Sequence, residues 1–119
     1  MPVVVKARPS MRVVVLESPL RGDYVSNISY ARRCLQDSMK RGEAPIAGHL
    51  LYTQVLDDLL PNERELGINL HLTHIPRADA LVVYEDRGIS DGMAQAIAEA
   101  SRLGVPIEYR RLDAPGGGT

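Results

Sequence analysis

Carboxylates, a serine and two glycines crowd the run Glu85-Asp86-Arg87-Gly88-Ile89-Ser90-Asp91-Gly92-Met93, directly after the apolar Leu81-Val82-Val83-Tyr84. That order reads as a buried strand, a glycine turn and a helix start. In open α/β sheets, ligands sit outside the carboxyl ends of strands and against helix N-termini. Asp86 suits sugar hydroxyls as an acceptor, and Ser90 with the N–H groups of Gly92 and Met93 suits a phosphate. The plainer alternative is that Ser90 or Asp91 serves only as the N-cap such a helix needs.

Two further strand-to-helix junctions carry chemistry. In Glu17-Ser18-Pro19-Leu20-Arg21-Gly22-Asp23, a hydroxyl at Ser18, a guanidinium at Arg21 and free backbone at Gly22 suit an anion. A simple connecting turn has the same composition, and the spaced glycines of a P-loop or dinucleotide fingerprint are absent. In Gly48-His49-Leu50-Leu51-Tyr52, His49 can hydrogen-bond a base or sugar and Tyr52 can stack, although a histidine in an apolar loop is often structural. His71 and His74 share a helix face at metal-pair spacing but lack a third clear ligand, so no metal is expected. No G-x-S-x-G elbow points to a seryl nucleophile. The single cysteine, Cys34, lies between Ala31 and Leu35 and reads as a small buried apolar side chain.

The elements that must hold these residues alternate along the chain. Arg12 to Glu17 is a β-branched run ended by Ser18-Pro19, a strand covered on both faces. Val25 to Arg41 places Ile28, Ala31, Leu35 and Met39 on one helical stripe, with Gly42 as its stop. Ala44 to Gly48 is a short second strand, and His49 to Leu60 is apolar enough for either a helix or a packed loop. From Pro61 a second helix runs to about Ile75, with Asn62 and Glu65 at capping-box spacing and Pro76 against continuation. Leu81 to Tyr84 is the third strand, and a helix runs from a Ser90 or Asp91 cap to Leu103. Val105 to Arg110 is the last strand, at an edge because of Pro106.

Alternating strands and helices predict an α/β, Rossmann-like three-layer domain with a four- to five-stranded, mainly parallel sheet. Its 119 residues allow one domain with a real core, taken as residues 11–112 between an N-terminal extension (1–10) and a flexible tail (113–119). With 45% hydrophobic and 24% charged residues the composition is that of a folded globule, not a disordered chain. A net charge of -1 argues against a nucleic-acid polymer as partner. Arg32, Arg33, Lys40 and Arg41 form a local basic patch that reads as a solvated helix face. No apolar run approaches the roughly 18 residues of a membrane span, and none resembles a signal-peptide core. The expectation is a cytoplasmic protein with no membrane partner.

Several motifs together resemble the nucleoside 2-deoxyribosyltransferase-like superfamily, over roughly residues 11 to 112. They are Glu17-Ser18-Pro19 at the first strand end, Arg77 to Tyr84, Asp86 to Met93, and Gly104-Val105-Pro106-Ile107-Glu108. Tyr30-Ala31-Arg32-Arg33-Cys34 and His49-Leu50-Leu51-Tyr52-Thr53-Gln54 resemble that group's small bacterial and phage relatives. The resemblance implies a nucleoside- or nucleotide-binding domain, without cofactor, that forms homo-oligomers. Ser18, Arg21, Gly22, Ser90, Gly92 and Met93 would then surround phosphate or sugar, and Asp86, His49 and Tyr52 would reach the ribose or base. Catalytic members cleave the N-glycosidic bond with a carboxylate on the helix after the glycine turn. Ala96 stands at that position here, and His71 stands where an aspartate is usual. Three readings follow: a binding module; an N-glycosidase or transferase with Glu99, Asp86 or Glu17 as nucleophile and His71 as acid/base; or an assembly protein packing through His49 to Leu60.

Overall fold

The computed structural model describes residues 11–113. Both the N-terminal extension and all but the first residue of the tail expected from the sequence lie outside these residues. Four parallel strands, β1 (Val13–Glu17), β2 (Ala44–Ile46), β3 (Ala80–Tyr84) and β4 (Ile107–Arg110), form one sheet in the order β2-β1-β3-β4. The sheet class expected from the sequence is therefore present, with every pairing parallel. β1 and β3 are central, which is why both read as unbroken apolar runs. β4 is an edge strand, and Pro106 precedes it without removing a ladder bond from an interior strand.

Period-two alternation divides the core into two halves. Val14, Leu16, Ala80, Val82 and Tyr84 face helix α1 (Tyr24–Lys40) and meet Tyr30 and Cys34. On the other face, Val15, Leu81 and Val83 meet Ile75 and the Met93, Ala96 and Ala100 side of helix α4 (Asp91–Leu103). Alternation along β1 therefore also sends Glu17 to the α4 side, at the carboxyl end of the sheet.

The buried stripe of α1 is Asn27, Tyr30, Ala31, Cys34 and Ser38, rotated from the expected one, and Met39 is exposed. The rotation lets two polar side chains find partners inside: Ser38 donates to Glu43 at 2.9 Å, and Asn27 holds the backbone carbonyls of Leu20 and Arg21. In the basic patch, Arg33 pairs with Asp113 and Arg41 with Asp37.

The segment from His49 to Leu60 is neither one helix nor one loop. It holds a short helix α2 (Gly48–Leu51), a 3-10 turn (Tyr52–Gln54) and a bend into α3 (Pro61–Thr73). No capping box forms at α3: Leu60 is its N-cap with no side-chain bond, and the Glu63 carboxylate instead accepts from the Asp57 N–H at 2.9 Å. Nor does α3 reach Ile75. It stops at Thr73, and a separate 3-10 turn (Ile75–Arg77) carries Pro76, which cannot extend the preceding bonds.

Candidate functional site

A cavity of about 420 Å³ opens at the carboxyl ends of β1 and β2, within the range of small-molecule sites. One wall is the β1–α1 loop: Ser18, Leu20, Arg21 and Gly22. Gly22 adopts φ +96, a left-handed turn open to glycine, and the Asn27 side chain fixes the preceding carbonyls. A second wall is the N-terminus of α4, with Ser90, Asp91, Gly92 and Met93. Ser90 caps that helix by accepting from the Met93 N–H at 3.3 Å, and Arg87 ties the preceding loop to Ser26 and Asn27 of α1. Helix α3 and the α2 segment close the remaining side with apolar Leu56, Ile68 and Leu72 beside Tyr52 and Thr53.

Glu17 lies at the floor, 5% exposed. His71 of α3 reaches it through Nε2, which meets Glu17 Oε2 in a close hydrogen bond. The other ring nitrogen, Nδ1, accepts the backbone N–H of Gly48 at 3.1 Å. That bond fixes the tautomer: Nδ1 carries no proton, so Nε2 carries the ring proton and donates it to the carboxylate. Burial raises the Glu17 pKa above the ordinary carboxylate range, and the contact with His71 offsets this only in part. Among the described residues, Oε1 of Glu17 has no hydrogen-bond partner and remains accessible from the cavity.

Gly48 is the residue that makes this pair possible. A Cβ built there would sit 2.3 Å from His71 Nδ1, so any other side chain would displace the imidazole. The sequence hinted at this only through a glycine in an otherwise apolar run.

Beside this pair, Ser18 Oγ and His49 Nε2 lie 2.7 Å apart. The pairing has the geometry of a nucleophile and base but lacks the third member. His49 Nδ1 is buried without a partner, and burial pushes the imidazole pKa down to about 3, too low for a useful base near neutrality. Tyr52 is engaged as well: its hydroxyl meets His74 Nε2 at 2.6 Å and the rings stack at 6.1 Å. His71 and His74 thus turn to different partners. Among the described residues, no group of three His, Cys, Asp or Glu side chains is placed to hold a metal ion.

The residues singled out from the sequence separate into two sets. Glu17, Ser18, Arg21, Gly22, His49, Tyr52, His71, Ser90, Gly92 and Met93 line the one cavity. Asp86 and Glu99 do not. The Asp86 carboxylate accepts from Tyr30 Oη at 2.5 Å and from the N–H groups of Leu112 and Asp113 at 2.9 and 3.0 Å, so it ties the segment after β4 to α1. Glu99 pairs with Arg102 of its own helix. Ala96 packs against the sheet in the core. Residues of the α3 wall such as Ile68 and Leu72 carry no signal in the sequence, where they differ in no way from core-facing apolar positions.

Residues 12–110 match a family described as a domain of unknown function, DUF7768, and the chain belongs to that family. No curated protein matches it. Among solved structures, it is similar to a 2-deoxyribosyltransferase from the psychrotolerant bacterium Bacillus psychrosaccharolyticus, with 17% identity and a TM-score of 0.67 over 84% of this chain and 72% of that one. At that identity the likeness is one of fold. The deoxyribosyltransferase-like fold inferred from the motifs is therefore the fold of this chain.

Proposed function

We propose that this DUF7768 domain binds a nucleoside or nucleotide in the cavity at the carboxyl ends of β1 and β2. The observation that carries the reading is convergence: three separate chain segments bring hydroxyl, guanidinium, imidazole and free helix-terminal N–H groups to one 420 Å³ space. Polar groups are graded in depth. Arg21, Ser90, Asp91 and Gly92 are exposed at the rim, whereas Glu17, Ser18 and His71 are buried. A ligand with a planar apolar ring and a polar sugar or phosphate matches that gradient, ring inward and phosphate at the rim.

A second reading, cleavage of the N-glycosidic bond, is favoured by the free Oε1 of Glu17 and its raised pKa. Glu17 would take a proton from water as the water oxygen bonds to the anomeric carbon. The N–C bond breaks with its electron pair going to the base, which is protonated from solvent. His71 would be a positioning residue in that reaction, since its one proton is already given to Glu17. Self-association could accompany either reading: Leu51, Val55, Leu59 and Leu60 are exposed apolar residues on the segment beside the cavity.

Proton NMR of the protein with ribo- and deoxyribonucleosides and their 5'-monophosphates, followed overnight, tests these readings. Ligand line-broadening without new signals supports binding alone. Growth of free-base signals establishes cleavage, and silence across the panel overturns both. Sedimentation of the free protein tests self-association.

A further inference from the structure

We infer that Glu17 selects ligands whose base carries a hydrogen-bond donor, an amino group or ring N–H, on the edge that enters first. The inference rests on the nucleoside or nucleotide reading and names the ligand chemistry of that site. An ionised carboxylate only accepts hydrogen bonds. Here one oxygen takes the single available proton of His71, whose other nitrogen is occupied by the Gly48 N–H. No Arg or Lys among the described residues pairs with Glu17, and His71 is its one side-chain partner. The remaining oxygen opens into the cavity, whose lining also includes apolar Leu56, Ile68, Leu72 and Met93. Apolar lining offers a buried carboxylate oxygen no hydrogen bond, so a ligand donor placed there regains what burial removed.

The rim cannot make the same choice. Arg21 and the α4 N-terminus lie in solvent, where water competes and a misplaced group costs little. At the floor, a ligand without a donor leaves the carboxylate unpaired and excludes the water that could have served it. Sites that hydrogen-bond a ligand group in a closed space reject analogues lacking that group far better than they reject a missing methylene. Discrimination by Glu17 is therefore expected at about tenfold to hundredfold, the range for a hydrogen bond to a charged group.

Isothermal titration of the full chain with adenosine and with purine riboside, which lacks the donor, reads this directly, alongside guanosine and cytidine. The expected result is that donor-bearing nucleosides bind at least tenfold more tightly than purine riboside. In Glu17→Gln the gap shrinks severalfold, through loss on the donor-bearing side. In Gly48→Ala, which displaces His71, the gap also shrinks. Equal binding of adenosine and purine riboside by the unmodified protein overturns the inference and leaves the nucleoside reading standing, with no variant needed. Absence of binding by every nucleoside and 5'-monophosphate overturns the nucleoside reading and the inference with it.

Discussion

Two buried glutamates in this domain are treated in opposite ways. Glu43, just before β2, is 8% exposed and has every oxygen answered. Arg110 contacts both oxygens at 2.8 and 2.7 Å, Ser38 adds 2.9 Å to one and Arg12 adds 2.6 Å to the other. Its pKa falls to about 2, chiefly through Arg110. Glu17, 5% exposed, has one imidazole partner and an open oxygen, and its pKa rises through burial. A carboxylate that only holds a fold together is fully satisfied, because each unmet bond costs stability. One left half-satisfied beside a cavity costs stability in the free protein, and a ligand is the natural partner for it.

The largest effect sharpening this contrast is expected at the Glu43 network. Arg110→Ala leaves Glu43 buried with far weaker compensation and lowers stability by about 3–5 kcal/mol in urea unfolding. Glu17→Gln does the reverse at neutral pH. It removes an uncompensated charge, raises the unfolding midpoint and weakens ligand binding. Loss of stability in Glu17→Gln comparable to that in Arg110→Ala would make both carboxylates structural and break the comparison.

The pH dependence separates them with opposite signs. The lowered pKa of Glu43 contributes stability that is complete above its unfolded value, near 4.5, and is lost as pH falls toward about 2. That contribution is on the order of 3 kcal/mol by the shift itself. For Glu17 the raised pKa means that ionisation opposes folding, so the advantage of Glu17→Gln is greatest at neutral pH. It fades as pH falls through the folded pKa toward 4.5. Unfolding curves of the two proteins from pH 7 to pH 4 check the convergence.

Smaller effects are expected where the carboxylates lie outside the cavity. Asp86→Asn weakens the bonds to Tyr30, Leu112 and Asp113 and lowers stability by about 1–3 kcal/mol, with ligand affinity unchanged. Glu99→Gln removes only a surface pair with Arg102, and both stability and affinity stay within about 0.5 kcal/mol of the parent. A fall in binding for either variant would show that the site extends beyond the cavity described.

Much of the fold was legible because its signals are local. The β-branched run before Glu17, the Ser90 cap and Gly104, which ends α4 with φ +73, each act over a few residues. The stripe of α1 differs from its helical period for the converse reason. Burial of Asn27 and Ser38 depends on partners at Leu20, Arg21 and Glu43, and no helical period announces those bonds. Likewise, Glu63 bonds Asp57 where a reciprocal cap between Asn62 and Glu65 was expected.

By itself the sequence determined that strands and helices alternate and that three junctions share one end of a parallel sheet. Parallel strand direction then brings Ser18, Arg21, His49 and Ser90 to one end of the sheet. Only the tertiary structure decided which carboxylate faces the cavity. His71 is 54 residues from Glu17, and Gly48 intervenes without any pattern linking the three. Asp86 and Glu99 had equal claims by residue type, and packing assigned one to the segment after β4 and the other to a surface pair with Arg102. Charge, burial and an open oxygen are properties of a surrounding, and distant segments build that surrounding only when the chain has closed on itself.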